Sequence, residues 1–238
     1  MADGLRAVVF DLFGTLISTD PNDVLATRRS LAEDLGVDAD GFARVRTEMR
    51  EEAETGRTGG PEETLAFFAR RAGGAPGPAA LRRAAERWLD ANRRWLTPER
   101  STLDALDGLR AAGCRLGLLT NCSAAVAPAW ADSPLAPRFD ATAFSSEVGF
   151  LKPHPETYRV VCERLGLAPA QCLYVGDGGD NELTGAAAAG LHPVLLDSAA
   201  GARMAKLLVD HEAATWTGAR IQELGQVAPL LTTETPTA

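Results

Sequence analysis

Residues Ala7-Val8-Val9-Phe10 form a short, β-branched apolar run that ends in an aspartate, Asp11, and a small-residue turn, Gly14-Thr15, follows at once. A run this short, bounded by a turn, predicts a buried strand of the kind found in parallel sheets. A carboxylate at the carboxyl end of such a strand lies where open α/β sheets keep their ligands. Taken alone, Asp11 could equally cap a turn. Three later stretches bear on that choice.

Past Asp11, Ser18-Thr19-Asp20-Pro21 is a helix-start signal, with a cap residue before proline. The sequence then turns rich in Ala, Arg and Glu with helical spacing. Gly56-Arg57-Thr58-Gly59-Gly60-Pro61 and Gly73-Gly74-Ala75-Pro76-Gly77-Pro78 break it into separate helices. Leu81, Ala85, Trp88, Leu89, Asn92 and Trp95 share one mostly apolar helical face. That spacing favours core packing over ligand stacking for the two tryptophans. Beyond this insertion, Leu116–Leu119 predicts a second strand ending at Thr120-Asn121, and Ala143-Phe144-Ser145 a third. Cys172–Val175 predicts a fourth strand, running into Gly176-Asp177, and Pro193–Leu196 a fifth. Residues Glu147 to Pro155, which include Lys152, read as a loop, and Tyr158, Val161, Cys162 and Leu165 mark the helix after it. Strands alternating with helices imply an α/β fold with a doubly wound parallel sheet. The expected layout is a core of residues 1–17 and 97–232, a helical insertion over 18–96, and a disordered tail over 233–238.

The bulk properties exclude several partners. Net charge is −8 and the sequence pI is about 5.0, so neither nucleic acid nor an anionic membrane surface is an expected partner. No apolar run is long enough to cross a bilayer, and no signal peptide is apparent. The four cysteines lack C-x-x-C spacing, which fits free thiols in a reducing cytoplasm and not a zinc site. The sequence is silent on oligomeric state, and His192 and His211 receive no role. Of 24 basic residues only Lys152 and Lys206 are lysines, so a lysine inside a motif stands out.

In a parallel sheet the ends carrying Asp11, Thr120 and Asp177, and the loop carrying Lys152, converge on one crevice. Two carboxylates meeting there repel each other, which raises a pKa or recruits a cation, and an oxygen-ligated Mg²⁺ is the natural occupant. Metal, lysine and hydroxyl together suit a phosphoryl group. Asp11 is then placed to attack phosphorus and form an aspartyl-phosphate.

These stretches resemble, in order and spacing, the four motifs of the haloacid dehalogenase-like (HAD) hydrolase superfamily. The first is Asp11-Leu12-Phe13-Gly14-Thr15-Leu16 and the second Leu118-Leu119-Thr120-Asn121. The third is Lys152-Pro153-His154-Pro155-Glu156, and the fourth Gly176-Asp177 with Glu182 five residues on. The resemblance implies a Rossmann-like core with a helical cap after the first motif, and a Mg²⁺-dependent phosphatase acting on a small phosphorylated substrate. Asp11 would be the nucleophile, and Thr120 with Asn121 would bind the phosphoryl oxygens. Lys152 would hold nucleophile and phosphate together. Asp11, the Phe13 carbonyl, Asp177 and Glu182 (through water) would hold the metal. Arg57, in the break between cap helices, is the candidate cap residue reaching the substrate.

The sequence departs from the pattern at Phe13, where phosphatases of the family carry a second aspartate as general acid and base. Losing such a group costs about 10²–10⁴ in rate. One reading is a phosphatase helped by His154, Asp180, Asp20 or water, or one whose substrate has a good leaving group. Another is a 2-haloacid dehalogenase; these relatives carry an aromatic residue at this position and need no acid or metal, but they lack a fourth motif opening Gly-Asp. The third is a non-catalytic protein of the same fold, against which the retained Asp11, Thr120, Lys152 and Asp177 count. A phosphonate hydrolase would need a cap lysine, and residues 18–95 contain none.

Overall fold

In the computed structural model, which describes residues 4–204 and 211–231, the first strand, β1, spans Ala7–Phe10 and ends directly at Asp11. Five helices form the insertion that follows: α1 (Pro21–Leu35), α2 (Ala39–Glu48), α3 (Arg50–Glu54), α4 (Pro61–Arg71) and α5 (Pro78–Trp95). Then come α6 (Arg100–Ala111), β2 (Arg115–Thr120), α7 (Val126–Trp130), β3 (Ala141–Phe144), α8 (Ser145–Val148) and α9 (Pro155–Leu165). The chain closes with β4 (Cys172–Gly176), α10 (Glu182–Ala188), β5 (His192–Leu196), α11 (Ala199–Met204), β6 (Ala219–Ile221) and α12 (Val227–Leu230).

The described strands form one six-stranded sheet of order β3-β2-β1-β4-β5-β6 with every neighbouring pair parallel. Side chains alternate across it as strand geometry requires. Val8, Phe10, Leu116, Leu118 and Val175 pack on one face with Leu106 and Leu109 of α6 and Val227 of α12. Ala7, Val9, Leu119 and Tyr174 pack on the other with Tyr158, Val161 and Leu165 of α9 and Leu183 of α10. From β1 the chain winds outward to β2 and β3, then crosses back to β4 on the opposite side of β1. The strand order therefore reverses between β1 and β4, and a crevice opens beyond their carboxyl ends.

Helices α1, α2, α4 and α5 bury an apolar cluster of their own that includes Leu31, Phe42, Leu65, Phe68 and Trp88. Their starts follow from the sequence. Asp20 caps α1 by accepting the Asn22 N–H at 2.9 Å, and α1, α4 and α5 each place proline in the first turn, where its missing N–H costs nothing.

The structure differs from the sequence expectations in three places. The third strand is Ala141–Phe144, and Ser145, expected to end that strand, opens the short helix α8, which runs into the segment expected to be a loop. The edge strand β6 was not foreseen, since three residues are too few to show a period. The expected tail at 233–238 lies outside the described residues. Among the described residues no helix is long and apolar enough to cross a membrane.

Candidate active site

Asp11 leaves β1 and Asp177 leaves β4, so both carboxylates sit at the point where the strand order reverses. The parallel register sets them side by side, with Phe10 opposite Val175 and the Asp11 N–H bonded to the Val175 carbonyl at 2.9 Å. Thr120 ends β2 one strand over, and Lys152 comes from the loop between α8 and α9. All four are buried and line one cavity of about 260 Å³.

Lys152 organises the cluster. Its Nζ donates to Asp11 Oδ1 at 2.6 Å, to Glu182 Oε2 at 2.5 Å and to the Tyr174 hydroxyl at 3.3 Å. Tyr174 in turn donates to Glu182 Oε2 at 2.7 Å, and the Gly178 N–H donates to Glu182 Oε1 at 2.9 Å. The other oxygen of Asp11 accepts the Thr15 hydroxyl at 3.1 Å. Glycine is required at Gly176, where a Cβ would lie 2.1 Å from Glu182 Oε1. Glu182 therefore has a structural task, holding the lysine, beside the ligand role expected of it.

Asp177 is held differently. Its Oδ1 accepts the Gly179 N–H at 3.1 Å, while its Oδ2 is buried without a hydrogen-bond partner. His211 Nε2, also buried and unpartnered, lies 3.8 Å from that oxygen. Asp11, Asp177 and Glu182 each offer a carboxylate oxygen, and these oxygens all lie within 4.8 Å of one another.

The electrostatics follow from three carboxylates facing one ammonium. Burial raises the Asp11 carboxyl, Lys152 opposes that, and Asp177 adds to it. Glu182 is also raised, by burial first, with Lys152 opposing and Asp11 and Asp177 assisting. Burial alone would lower Lys152, but Asp11 and Glu182 outweigh it and keep the lysine charged. A hard, oxygen-seeking cation fits this donor set, because it would relieve the repulsion and satisfy the orphaned Asp177 oxygen.

The remaining expected residues divide. Phe13 is half-buried; its ring lines the cavity and packs against the β1 face of the core. Thr120 lines the cavity, its hydroxyl donating to the Asn121 carbonyl at 3.3 Å. Asn121 lines it too, but Oδ1 accepts the Lys152 N–H at 2.8 Å and Nδ2 donates to Asp180 at 2.8 Å. Its amide ties loops together and is not free for substrate. Arg57 does not reach the cavity. It is exposed, pairs with Glu51 at 3.3 Å and lines a separate surface hollow. Although Gly56 of the same break packs against Ser146, the Arg57 side chain is exposed, and Arg50, seven residues earlier at the start of α3, reaches inward instead.

Arg50 grips both Asp180 oxygens, at 2.9 and 2.6 Å, and its Nε donates to Glu54 at 2.8 Å. Asp180 is thus a link between α3 and the fourth motif and not a helix cap. Burial would raise its carboxyl, but Arg50, Lys152 and Asn121 outweigh that and hold it below the usual range. Among the groups weighed as stand-ins for the missing acid, Asp20 caps α1. His154 caps α9 and stacks on Phe150, 4.2 Å between ring centroids. Neither lines the cavity. Trp88 is a core residue of the inserted helices that also touches the cavity.

Four participants were not assigned from sequence. Thr15 stands inside the first motif and could have been. Tyr174 hides in an apolar strand, His211 lies far along the chain, and Arg50 is one arginine among many.

Comparison with known proteins agrees with this geometry. The haloacid dehalogenase-like hydrolase model matches residues 5–190. Phosphoglycolate phosphatase of Escherichia coli (strain K12) is 41% identical over 88 residues, 37% of this chain and 34% of that protein. The match therefore spans about a third of that relative's length. L-2-haloacid dehalogenase from Xanthobacter autotrophicus, with chloropropionic acid covalently bound, superposes with a TM-score of 0.63 at 24% identity, covering 95% of this chain and 98% of that one. CbbY from Rhodobacter sphaeroides in complex with phosphate gives 0.62 at 22%, covering 93% and 96%. At these identities the solved structures show a shared fold. Motif order, sheet topology and the family match meet in one conclusion: the chain belongs to the haloacid dehalogenase-like hydrolases.

Proposed function

We propose that the protein is a phosphatase of small phosphate monoesters, with Asp11 as nucleophile and the helices α1–α5 as a cap over the crevice. The observation that carries this reading is the buried trio Asp11, Asp177 and Glu182 with the unpaired Asp177 oxygen. Displacing halide from carbon gives a divalent cation nothing to do, whereas a phosphoryl group presents oxygens whose charge such a cation neutralises. The 41% match to a phosphoglycolate phosphatase supports the same side.

Asp11, Asp177, Glu182 and the Phe13 carbonyl would hold Mg²⁺. When bound, it would neutralise phosphoryl oxygens and polarise the phosphorus. Lys152 positions one Asp11 oxygen and Thr15 the other, leaving a lone pair for in-line attack. Attack forms the bond from Asp11 oxygen to phosphorus and breaks the bond from phosphorus to the leaving alkoxide. Water then attacks phosphorus, releasing phosphate and regenerating the Asp11 carboxylate. Thr120 and backbone N–H groups of the strand ends hydrogen-bond the phosphoryl oxygens. Phe13 cannot move a proton, and Asp180 is committed to Arg50 and Asn121. The leaving oxygen therefore draws its proton from water.

A 2-haloacid dehalogenase is the second reading, favoured by the Phe13 ring on the cavity wall. Assaying p-nitrophenyl phosphate and a 2-haloacid in parallel, with Mg²⁺ and with EDTA, separates the two. Phosphate release that requires Mg²⁺ and vanishes in Asp11→Asn supports the phosphatase; halide release indifferent to EDTA overturns it.

A further inference from the structure

The inserted helices bring two arginines to the cavity that no acid answers directly. Arg28 of α1 and Arg46 of α2 both line it. Neither forms an ion pair or a hydrogen bond among the described residues, and the Nε of Arg28 is buried without a partner. Arg46 lies over the face of Phe68, 5.8 Å from the ring centroid. The other cations of the cavity are spent: Arg50 on Asp180 and Glu54, Lys152 on Asp11 and Glu182.

Burial lowers both guanidinium pKa values, and the nearby charge of Arg28 lowers Arg46 further, to about 9. Both stay charged at neutral pH, because guanidinium is intrinsically so basic. Glu54 is the one carboxylate whose charge reaches both, and its hydrogen bond goes to Arg50. Two like charges lining one partly buried cavity, neither paired with a carboxylate, favour an anion that meets both. A planar fork of N–H donors suits carboxylate or phosphate above other groups.

We propose that Arg28 and Arg46 form an anion subsite for a second negatively charged group, a carboxylate or a second phosphate, on the same small phosphate monoester whose phosphoryl group meets Asp11. This rests on the phosphatase reading and narrows its substrate class. The volume of about 260 Å³ sits just below the usual range for small-molecule pockets, roughly 300–1,000 Å³, so both ends of a compact dianion share one enclosure. Because the subsite belongs to the inserted helices, binding energy from the far end of the substrate can orient the phosphoryl end against Asp11.

The test is steady-state phosphate release by the full chain with Mg²⁺, using three esters that differ only at the far end. These are 2-phosphoglycolate, ethylene glycol bisphosphate and neutral 2-hydroxyethyl phosphate, with p-nitrophenyl phosphate as a reporter of chemistry. At least one charged ester is expected to exceed the neutral one about 10²-fold in kcat/KM, given two charge-assisted contacts. Which charged ester leads identifies the second group. Arg28→Gln and Arg46→Gln should each cut that preference about tenfold, mainly through KM, and Arg28→Lys and Arg46→Lys should recover part of it. The lysine variants also carry the test should a glutamine variant fold poorly. Equal kcat/KM for charged and neutral esters, with p-nitrophenyl phosphate turned over, overturns the subsite and leaves the phosphatase standing. A preference that survives in both glutamine variants overturns the assignment to these arginines. No phosphate release from any ester overturns the underlying reading instead.

Discussion

A phenyl ring stands at position 13, two residues past Asp11 and on the wall of the same cavity. With no proton donor there, the leaving oxygen departs as an alkoxide or takes a proton from water. Turnover should therefore rise steeply as the leaving alcohol becomes more acidic, with aryl phosphates well ahead of alkyl phosphates. Phe13→Asp should raise kcat/KM on an alkyl phosphate about 10²-fold, the low end of what a positioned acid contributes, and flatten the leaving-group dependence. A flat dependence in the wild type would show that another group donates. Asp177 gives a second test at this scale. Its buried, unpaired oxygen adds repulsion to a cluster with one ammonium. Asp177→Asn is expected to raise metal-free stability by roughly 0.5–2 kcal/mol while abolishing activity. Mg²⁺ should raise the melting temperature of the wild type and not of this variant. Asp11, Thr120, Lys152 and Asp177 were legible because each follows an apolar run or stands as one of two lysines. Tyr174 and His211 were not, because burial beside Lys152 and Asp177 comes from tertiary packing alone.

The element that joins the inserted helices to the site is α3, five residues long. Arg50 at its start binds Asp180, and the Glu54 carbonyl at its end accepts the Ser145 hydroxyl at 2.6 Å. Ser145 also accepts the Cys122 N–H at 2.9 Å, just beyond Thr120-Asn121. Immediately after α3 the chain turns at Gly56, with φ +73, and a Cβ there would lie 2.0 Å from the Ser146 carbonyl oxygen. Gly56→Ala should cost at least roughly 1–3 kcal/mol, through the left-handed backbone and the backbone clash together. Denaturant melts would measure this, and a cost within 0.5 kcal/mol, roughly that of an ordinary surface change, would contradict the docking. The sequence marked this glycine only as a helix break and placed Arg57 inward beside it. What the sequence did not show is the contact with α8, a helix that opens at Ser145, a residue that read as the end of the third strand. Proline and glycine punctuation announced the longer inserted helices well, whereas four- and five-residue helices carry too little period to announce themselves.

Across the whole molecule, the cavity between sheet and inserted helices concentrates charge from elements far apart in sequence. Glu54 reports on this globally. Burial, only partly offset by Arg50, raises its carboxyl above the usual 4.5. A carboxyl raised in the folded state favours folding while protonated. That contribution is complete below about 4.5 and is lost as pH rises through the folded-state value. Glu54→Gln should remove this decline, read as a smaller fall in melting temperature between acidic and neutral buffer. The doubly wound sheet was legible at this scale because strands and helices alternate in the chain. The convergence of four strand-edge clusters then followed from topology, while the arginine pair did not, since nothing in sequence distinguishes Arg28 and Arg46 from their neighbours. Phosphoryl transfer through Asp11 is most directly tested by turning over a phosphate monoester, and separately a 2-haloacid, in water labelled with heavy oxygen. Attack of water on phosphorus places the label in released phosphate and leaves the Asp11 peptide at its natural mass. A heavy-oxygen label in the Asp11 carboxylate, with halide released, would mean water attacks an ester carbon, and would contradict the phosphatase.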